Sequence, residues 1–381
     1  MIEMNIPLDP GVRGEPAKAL DASLRRMIVG QDPAIHQIVS AYQMYLSGLI
    51  APGRPVANFL FLGPTGSGKT HIVEATAETL LKTSRALLKI DCAEFQHSHE
   101  IAKLVGSPPG YLGHRETHPM LSQEVLNLYH SEQTRLSFVL FDEIEKASDA
   151  LWNLLLGILD KATLTLGDSR KVDFSRTMIF MTSNLGSAEI SDILAPRLGF
   201  SAMESRRTII DAQSESMAGK IHRSGVEAAR RRFTPEFMNR LDEIVTFRPL
   251  GPEQLKQILE IELDLVQRLI FSGGTDRAFV FTLSDQAKGF VLDQGTDIRY
   301  GARHLKRTIG RLLVRPISNL VSSAQLQAGD WIFVDYDEST QRLCFTKRAE
   351  GLLVQAMAYP ADVEAVTTSM PDTRKRRKAA P

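Results

Sequence analysis

Apolar runs of strand length recur along the first two thirds of the chain and alternate with helix-like segments. The helix-like segments include 71–82 and 148–160. The apolar runs lie at 57–62, 86–91, 136–141, 176–182 and 243–247. Strands that are apolar throughout are buried on both faces, and their alternation with helices is typical of a mainly parallel sheet. The pattern therefore predicts an α/β domain.

The pattern changes at RPLGPEQ (248–254), where the strand–helix alternation stops. Pro252 suits the first turn of a new helix. Short strands at 279–283 and 331–335 flank a helical stretch from about 302 to 324. This arrangement predicts a second, small α+β domain at the C-terminal side.

The last thirty or so residues have no hydrophobic periodicity and carry the charge run RKRRK at 374–378. Such a segment is typical of a mostly disordered basic tail. The run is either a solvated terminus or a contact for nucleic acid or an acidic adaptor, and its role stays open. The predicted division is an N-terminal arm at 1–26, a large domain at 27–250, a small domain at 251–347 and the tail at 348–381.

Composition narrows the function classes. Lys plus Arg equals Asp plus Glu at 45 each, so no overall field attracts nucleic acid or an anionic membrane. The two cysteines, Cys92 and Cys344, are not in metal-ligand spacing and suit a reducing compartment, where they are expected to be buried small hydrophobes. Apolar runs fall short of the roughly 20 residues that span a bilayer. We expect a cytoplasmic protein with no membrane partner and without nucleic acid as its main partner.

The segment GPTGSGKT fits the phosphate-loop motif G-x-x-x-x-G-K-[ST] between an apolar strand and an amphipathic helix. Its glycines let backbone amides turn towards phosphate oxygens, Lys69 neutralises the β and γ phosphates, and the Thr70 hydroxyl can ligate Mg²⁺. The segment predicts a site for ATP with Mg²⁺. The ATP-binding residues are Gly63, Pro64, Thr65, Gly66, Ser67, Gly68, Lys69 and Thr70.

Two carboxylates follow the apolar strand in FVLFDEIEKA (138–147). Asp142 is predicted to hold the metal, directly or through water, and Glu143 to orient and deprotonate the attacking water. Asn184, in the polar TSN that ends another strand, is a candidate to position the same water. On its own, a Ser-Asn pair after a strand is also typical of a helix cap.

Several separated blocks together resemble the AAA+ ATPases of the Clp family, specifically the second ATPase ring of the ClpA, ClpB and ClpC proteins. The resemblance runs from about 27 to 325 and implies a AAA+ P-loop NTPase large domain followed by a small domain. The blocks are IVGQD (28–32), FLFLGPTGSGKT (59–70), LVGSPPGYLG (104–113), FDEIEKA (141–147), VDF (172–174), MTSNLGS (181–187), RRFTPEFMNRLDEIVTFRPL (231–250) and YGARHLKR (300–307).

The resemblance implies roles for individual residues. Ile28 and Val29 look like the segment that packs on adenine, and Asn184 like the sensor residue on the fourth strand. Arg240 corresponds to the arginine finger that completes the site of a neighbouring subunit, and Arg303 to the sensor arginine of the small domain. A finger that acts in trans requires a closed ring, so the resemblance implies a homo-hexamer.

In this family the block that ends GYVG forms the axial pore loop, which here reads Gly110, Tyr111, Leu112 and Gly113. An aromatic ring on glycine hinges can grip a polypeptide of almost any sequence. Where the family usually has an acidic residue and a glycine after this loop, the chain has HRETHP at 114–119. The departure leaves the substrate preference open.

Two features bear on partners. Leu198, Gly199 and Phe200 fit the apolar-Gly-apolar tripeptide with which ClpA and ClpC dock on the Clp-type peptidase, and which ClpB lacks; an ordinary hydrophobic loop contact explains them equally. About 25 residues precede the resemblance, so we expect a stand-alone module whose substrates are selected by an adaptor, the arm, the tail or the pore.

The leading hypothesis is an ATPase that couples hydrolysis to threading and unfolding of polypeptides, either feeding a peptidase or acting as a disaggregase without one. The alternative is a nucleotide-switched scaffold or adaptor that remodels a partner without threading, for which Tyr111 is dispensable. A DNA-acting machine would need basic pore loops, which GYLG and the neutral charge balance disfavour.

Overall fold

The computed structural model of the protein describes residues 9–107, 118–132, 134–194, 215–274, 278–297 and 301–352. The chain divides into two compact units, and the division falls between Gly251 and Pro252. Most of the predicted tail, from residue 353 onwards, lies outside the described residues.

The first unit alternates strands and helices as the hydrophobic pattern predicts. Its strands are β1 Ala57–Leu62, β2 Leu87–Asp91, β3 Ser137–Asp142, β4 Thr163–Thr165, β5 Lys171–Asp173, β6 Thr177–Ser183 and β7 Glu243–Thr246. Its helices are α1 Glu15–Met27, α2 Asp32–Ser47, α3 Lys69–Leu81, α4 Ala102–Val105, α5 Gln123–Asn127, α6 Asp149–Lys161, α7 Ser187–Leu194, α8 Glu215–Arg232 and α9 Pro235–Met238. Short 3₁₀ turns occupy Ser84–Ala86, Cys92–Glu94, Ser98–Ile101 and Ile144–Lys146.

Five strands form one parallel sheet in the order β2-β3-β6-β1-β7. This confirms the predicted α/β class. The hydrophobic pattern did not predict β4 and β5, which pair as a small antiparallel hairpin. All six residues of β1 are buried, because strands and helices cover it on every side.

Helices cover both faces of the sheet, and alternate residues of β1 show the two faces. Phe59 and Phe61 pack with residues of α1, α2 and α3 on one face. Leu60 and Leu62 pack with residues of α6, α8 and α9 on the other. The sheet is therefore the middle of three layers, and its carboxyl edge stays available to the loops that follow the strands.

Helix α1 differs from the prediction of an N-terminal arm at 1–26. Its residues Ala17, Leu20 and Leu24 are buried in the same core cluster as α2, α3 and the sheet. The helix was hard to predict because polar residues occupy most of its remaining positions. Residues 15–27 thus belong to the core of the first unit.

The second unit is a small α+β fold, which agrees with the predicted class. Its helices are α10 Pro252–Ser272, α11 Asp285–Gly295, α12 Ala302–Ile309 and α13 Arg315–Ser322, with one π-helical turn at Gly310–Val314. Its strands are β8 Val280–Leu283, β9 Trp331–Asp337 and β10 Arg342–Ala349, in the order β10-β9-β8. The β8–β9 pair is parallel and the β9–β10 pair antiparallel.

Folded structure in the second unit continues past residue 347, whereas the tail was predicted from 348. Strand β10 runs to Ala349, and Leu352 packs against Val280 and Trp331. The difference arises because β10 is an edge strand with mostly exposed residues, so its hydrophobic signal is weak.

The two cysteines differ in burial. Cys92 is buried as expected, and burial raises the pKa of its thiol, with the charge of Asp91 adding to the effect. Cys344 is exposed, contrary to expectation, because it lies on the edge strand β10.

Within the described ranges, helices are too short or too polar to cross a lipid bilayer.

Leu24→Ala tests whether α1 is part of the core. Leu24 is fully buried, so the substitution should lower the free energy of unfolding by about 2–5 kcal/mol through lost burial and a residual cavity. Urea denaturation followed by circular dichroism measures the change. Leu46→Ala is the control, since Leu46 lies in α2 but is 46% exposed and should change stability little. An unchanged midpoint for Leu24→Ala would show that α1 does not pack as described.

Candidate active site

The phosphate loop joins β1 to α3, and its glycines stand where the backbone has positive φ. Gly63 has φ 136°, and a Cβ there would lie 2.6 Å from the carbonyl oxygen of Phe247. Gly68 has φ 100° and is the N-cap of α3. The helix start leaves backbone N–H groups without intrahelical partners, so the loop presents donors that suit phosphate oxygens.

Gln31 ties the loop to the segment that follows β7. Its buried amide donates to Ser67 O at 3.1 Å and to Arg248 O at 2.9 Å. Its Oε1 accepts from Arg248 N at 3.1 Å. Because these bonds satisfy the side chain on both sides, Gln31 fixes the loop against the end of the first unit.

Lys69 lies at the centre of the site. Its ammonium donates to Gly63 O at 2.7 Å, Pro64 O at 2.9 Å and Asn184 Oδ1 at 3.0 Å. Asn184 follows β6, the strand beside β1, and Thr65 Oγ1 lies 3.4 Å from the same amide oxygen. The structure thus brings the phosphate-loop lysine and the candidate sensor residue into direct contact.

Asp142 ends β3 and is held from three sides. Its Oδ1 accepts a hydrogen bond from the Thr182 hydroxyl, and the Thr70 hydroxyl lies 3.4 Å from the same oxygen. Its Oδ2 pairs with Lys89 Nζ of β2 at 3.1 Å. The two residues predicted to hold the metal, Thr70 and Asp142, are therefore neighbours at the carboxyl edge of the sheet.

Glu143 adopts the left-handed conformation, with φ 57° and ψ 48°. A non-glycine residue in this region costs about 1–2 kcal/mol, and such strain is concentrated at functional sites. Its N–H donates to Thr182 Oγ1 at 3.2 Å. Its Oε1 lies 3.5 Å from Asn184 Nδ2, and its Oε2 pairs with Lys146. The turn aims the carboxylate at Asn184 rather than along the strand.

The charge of Glu143 also acts on Lys146. The hydrogen bond that Lys146 donates to the Glu143 carboxylate, together with the attraction between the two charges, raises the pKa of Lys146. The ammonium therefore stays protonated at neutral pH, and the glutamate keeps a charged partner.

Glu145 links the acidic turn to α8. Its Oε1 accepts from Asn184 N at 3.1 Å, and its backbone carbonyl accepts from Arg232 Nη2 at 2.9 Å. The Arg232 guanidinium also lies 4.6 Å from the ring centroid of Trp152, a cation–π distance. The turn that carries Glu143 is thus anchored to Asn184 and to the end of α8.

Arg240 lies at the opposite edge of the sheet. It precedes β7, whose first residue Glu243 is level with Phe59 near the amino end of β1. Its guanidinium contacts Glu236 Oε1 at 3.0 Å and Asp160 Oδ2 at 3.4 Å. Parallel strands place their amino ends together, so the structure does not bring Arg240 to the phosphate loop of its own chain.

Some of the remaining predicted site residues lie within the described part of the chain, and the others lie outside it. Ile28 is buried and Val29 half-buried, directly before α2. Arg303 is exposed on the first turn of α12 in the second unit. The pore-loop residues Gly110, Tyr111, Leu112 and Gly113 and the tripeptide Leu198, Gly199 and Phe200 lie outside the described residues.

Sequence reasoning missed several residues of the site, including four that contact predicted residues or the phosphate loop directly. Lys146 stands three residues after Glu143, a spacing that brings side chains together in a helical turn and could have been noticed. Lys89 is the single charged residue within an otherwise apolar β2 run before Asp91. Gln31 and Thr182 carried no comparable local signal, because their contacts join residues that are distant in the chain.

Comparison with known proteins gives the family. The AAA domain family (Cdc48 subfamily) matches residues 54–244, which is half of the chain. The C-terminal, D2-small domain of ClpB protein matches residues 250–334. The chain belongs to the AAA domain family. It is a Clp-type AAA+ module, and membership makes it a nucleotide-binding ATPase module.

Relatives and solved structures agree with this assignment. The chaperone protein ClpB 1 of Thermosynechococcus vestitus is 36% identical over 347 residues, covering 91% of this chain and 36% of that protein. The chaperone protein ClpB of Meiothermus ruber is 38% identical over 331 residues, covering 86% and 35%. The chain therefore spans about a third of the length of these relatives.

The fold comparison includes a closed-state cryo-EM reconstruction of Hsp104 with ATPγS and FITC-casein. It matches with a TM-score of 0.69 and 27% sequence identity, over 87% of this chain and 52% of that chain. The three-layer first unit and the small second unit are thus the fold of this AAA+ module.

Glu143→Gln tests the assignment of the general base. The substitution keeps the size of the side chain but removes the proton acceptor, so it should lower kcat by about 10²- to 10⁴-fold and leave nucleotide affinity unchanged. Phosphate release and binding of a fluorescent ADP analogue measure the two quantities. Glu94→Gln, an exposed glutamate in the turn after β2, is the matched control. Normal hydrolysis by Glu143→Gln would rule out Glu143 as the base.

Proposed function

We propose that the chain is an ATP-driven protein-remodelling motor, an unfoldase or disaggregase, that works as a homo-hexamer on polypeptide substrates. The observation that carries the proposal is the separation of two groups of residues. Lys69, Asn184 and Glu143 form a connected set at one edge of the sheet, whereas Arg240 lies at the other. In this proposal a second subunit supplies the arginine to the site.

Hydrolysis begins when Lys69 exchanges the carbonyls of its own loop for phosphate oxygens. Asn184 and Glu143 then hold a water between them, and Glu143 takes a proton from the water as its oxygen attacks the γ-phosphorus. The bond between the γ-phosphorus and the β–γ bridging oxygen breaks, and ADP leaves with that oxygen while inorganic phosphate is formed. The strained turn at Glu143 fixes the carboxylate in this direction before the nucleotide arrives.

Mg²⁺ fits the donor set of the site. The Thr70 hydroxyl and the Asp142 carboxylate are hard oxygen donors beside each other, and Mg²⁺ takes one or two such protein ligands together with substrate phosphates. Within the described ranges, no group of three or more His, Cys, Asp or Glu residues is placed to hold a metal ion. When bound, Mg²⁺ would neutralise charge on the phosphates.

Arg240 is proposed to stabilise the transition state in the next subunit of the ring. A guanidinium that enters from outside the pocket spreads its charge over the equatorial oxygens of the transferred phosphoryl group. A heterologous interface that closes into a ring gives each subunit one such arginine.

Arg240→Ala should abolish most hydrolysis without affecting nucleotide binding. Because removal of an arginine finger costs about 10³- to 10⁵-fold, phosphate release should fall close to background. The matched control is Arg54→Ala, at the same edge of the sheet, where Arg54 pairs with Asp242 at 3.6 Å. If Arg240→Ala hydrolysed ATP at the wild-type rate, the arginine would have no role at the site.

The polypeptide substrate is proposed from the relatives and from the pore-loop motif. The ClpB relatives carry the name chaperone protein, and the Hsp104 reconstruction was obtained with FITC-casein. Tyr111, between glycines, is the residue proposed to grip the chain, because an aromatic ring binds varied sequences without hydrogen-bond specificity.

Tyr111→Ala should stop unfolding of a fluorescent protein that carries an unstructured tail, while ATP hydrolysis continues at a similar rate. The wild type should extinguish the fluorescence in an ATP-dependent manner. Tyr111→Phe is the control, since it keeps the ring and should keep most of the activity. Unfolding by Tyr111→Ala at the wild-type rate would favour the nucleotide-switched scaffold over threading.

The remaining partners stay predictions from the sequence. Docking of Leu198, Gly199 and Phe200 on a Clp-type peptidase can be measured by adding the peptidase to the same assay and following degradation of the fluorescent protein. The need for an adaptor and the cytoplasmic location likewise stay predictions.

A further inference from the structure

Asn58, the second residue of β1, is fully buried and bonds to two separate segments of the first unit. Its Nδ2 donates to Arg240 O at 3.1 Å and to Leu159 O at 3.2 Å. Both partners are carbonyl oxygens, which only accept, so the amide nitrogen must face them. The orientation of the side chain is therefore determined by its contacts.

The backbone of Asn58 holds the same region. Asn58 N donates to Asp242 Oδ2 at 2.8 Å, and Asp242 N donates to Asn58 O at 3.0 Å. Together with the side-chain bond, these contacts attach residues 240 and 242 to one residue of the central strand. The backbone that carries Arg240 is thus docked on β1 rather than on the neighbouring helix alone.

The second side-chain contact of Asn58 reaches the partner of Arg240. Leu159 immediately precedes Asp160, whose carboxylate contacts the Arg240 guanidinium at 3.4 Å. One amide therefore fixes the backbone of the arginine and the backbone beside its acidic partner. The relative position of Arg240 and Asp160 depends on this shared donor.

The two ends of the Asn58 amide differ, because its nitrogen bonds two carbonyls while its oxygen is unpaired among the described residues. Asn58 Oδ1 is buried and has no hydrogen-bond partner among the described residues, and an unsatisfied buried acceptor costs about 1–3 kcal/mol. A leucine of the same branched shape would remove this acceptor, but it would also take the Nδ2 donor away from the carbonyls of Arg240 and Leu159. The buried amide nitrogen of Asn58 therefore stands where its two N–H donors hold the backbone of Arg240 and the backbone beside Asp160.

We infer that Asn58 is a positioning residue for Arg240, holding it where it completes the ATP site of the next subunit. The inference rests on the proposed function, in which Arg240 acts in trans. Asn58 contacts neither Lys69 nor Glu143, so the nucleotide site of its own subunit should not depend on the amide.

The first experiment compares Asn58→Leu with wild type. Loss of the two donors should lower kcat by about 10- to 100-fold, the cost of misplacing a group of the transition-state site by about 1 Å, with nucleotide affinity unchanged. Ser137→Ala is the matched control: Ser137 is buried at the amino end of β3 and donates to Leu126 O at 2.8 Å, away from Arg240. If Asn58→Leu does not fold, as judged by circular dichroism, Asn58→Ser replaces it.

The second experiment separates positioning from a general structural defect. Asn58→Leu subunits, which keep Glu143, are mixed with Glu143→Gln subunits, which keep Arg240. With random neighbours, about a quarter of the sites combine an intact Glu143 with an intact Arg240. Two poorly active proteins should therefore regain hydrolysis on mixing, as should the reference mixture of Arg240→Ala with Glu143→Gln.

The outcomes distinguish the inference from the proposed function. Recovery in both mixtures supports the positioning role. Recovery in the reference mixture without recovery in the Asn58→Leu mixture overturns it, because the defect then lies in the variant's own site or fold. A wild-type kcat for Asn58→Leu also overturns it. Failure of the reference mixture contradicts action of Arg240 in trans, and the inference falls with it.

Discussion

Strand β6 lies between β1 and β3, and this order determines where every group of the active site stands. Neighbouring strands are about 4.8 Å apart, so the loop after β1 and the acids after β3 are separated by about 10 Å. Asn184, after β6, bridges the gap between Lys69 and Glu143. If β3 lay directly beside β1, the lysine and the glutamate could pair with each other and block the space for a phosphoryl group.

The two ends of strand β1 connect to different functional segments of the first unit. Its carboxyl end leads into the phosphate loop, and its amino end carries the backbone bonds from Asn58 to the Arg240 segment. From Asn58 to Leu62 the strand rises about 13 Å. All of its residues are buried, so close packing along the whole strand holds each end in place.

Secondary structure and motifs that depend on residues close together in the chain could be predicted from the sequence. The apolar run at 57–62 predicted β1, and the glycine spacing predicted the phosphate loop. The ion pairs of Lys89 and Lys146 could not be predicted with certainty, because the first needs the strand order and the second needs the left-handed turn at Glu143. Helix α1 escaped prediction because three buried apolar residues among polar ones give too weak a pattern.

The residues at the end of the first unit are linked to the phosphate loop through Gln31. Gly63 packs against Phe247, and Gln31 bonds both the loop and Arg248, a few residues before Pro252 begins α10. Three parts of the first unit that are distant in the chain, namely the residue before α2, the phosphate loop and the residues after β7, therefore meet at one buried amide, and the loop cannot move independently of the other two.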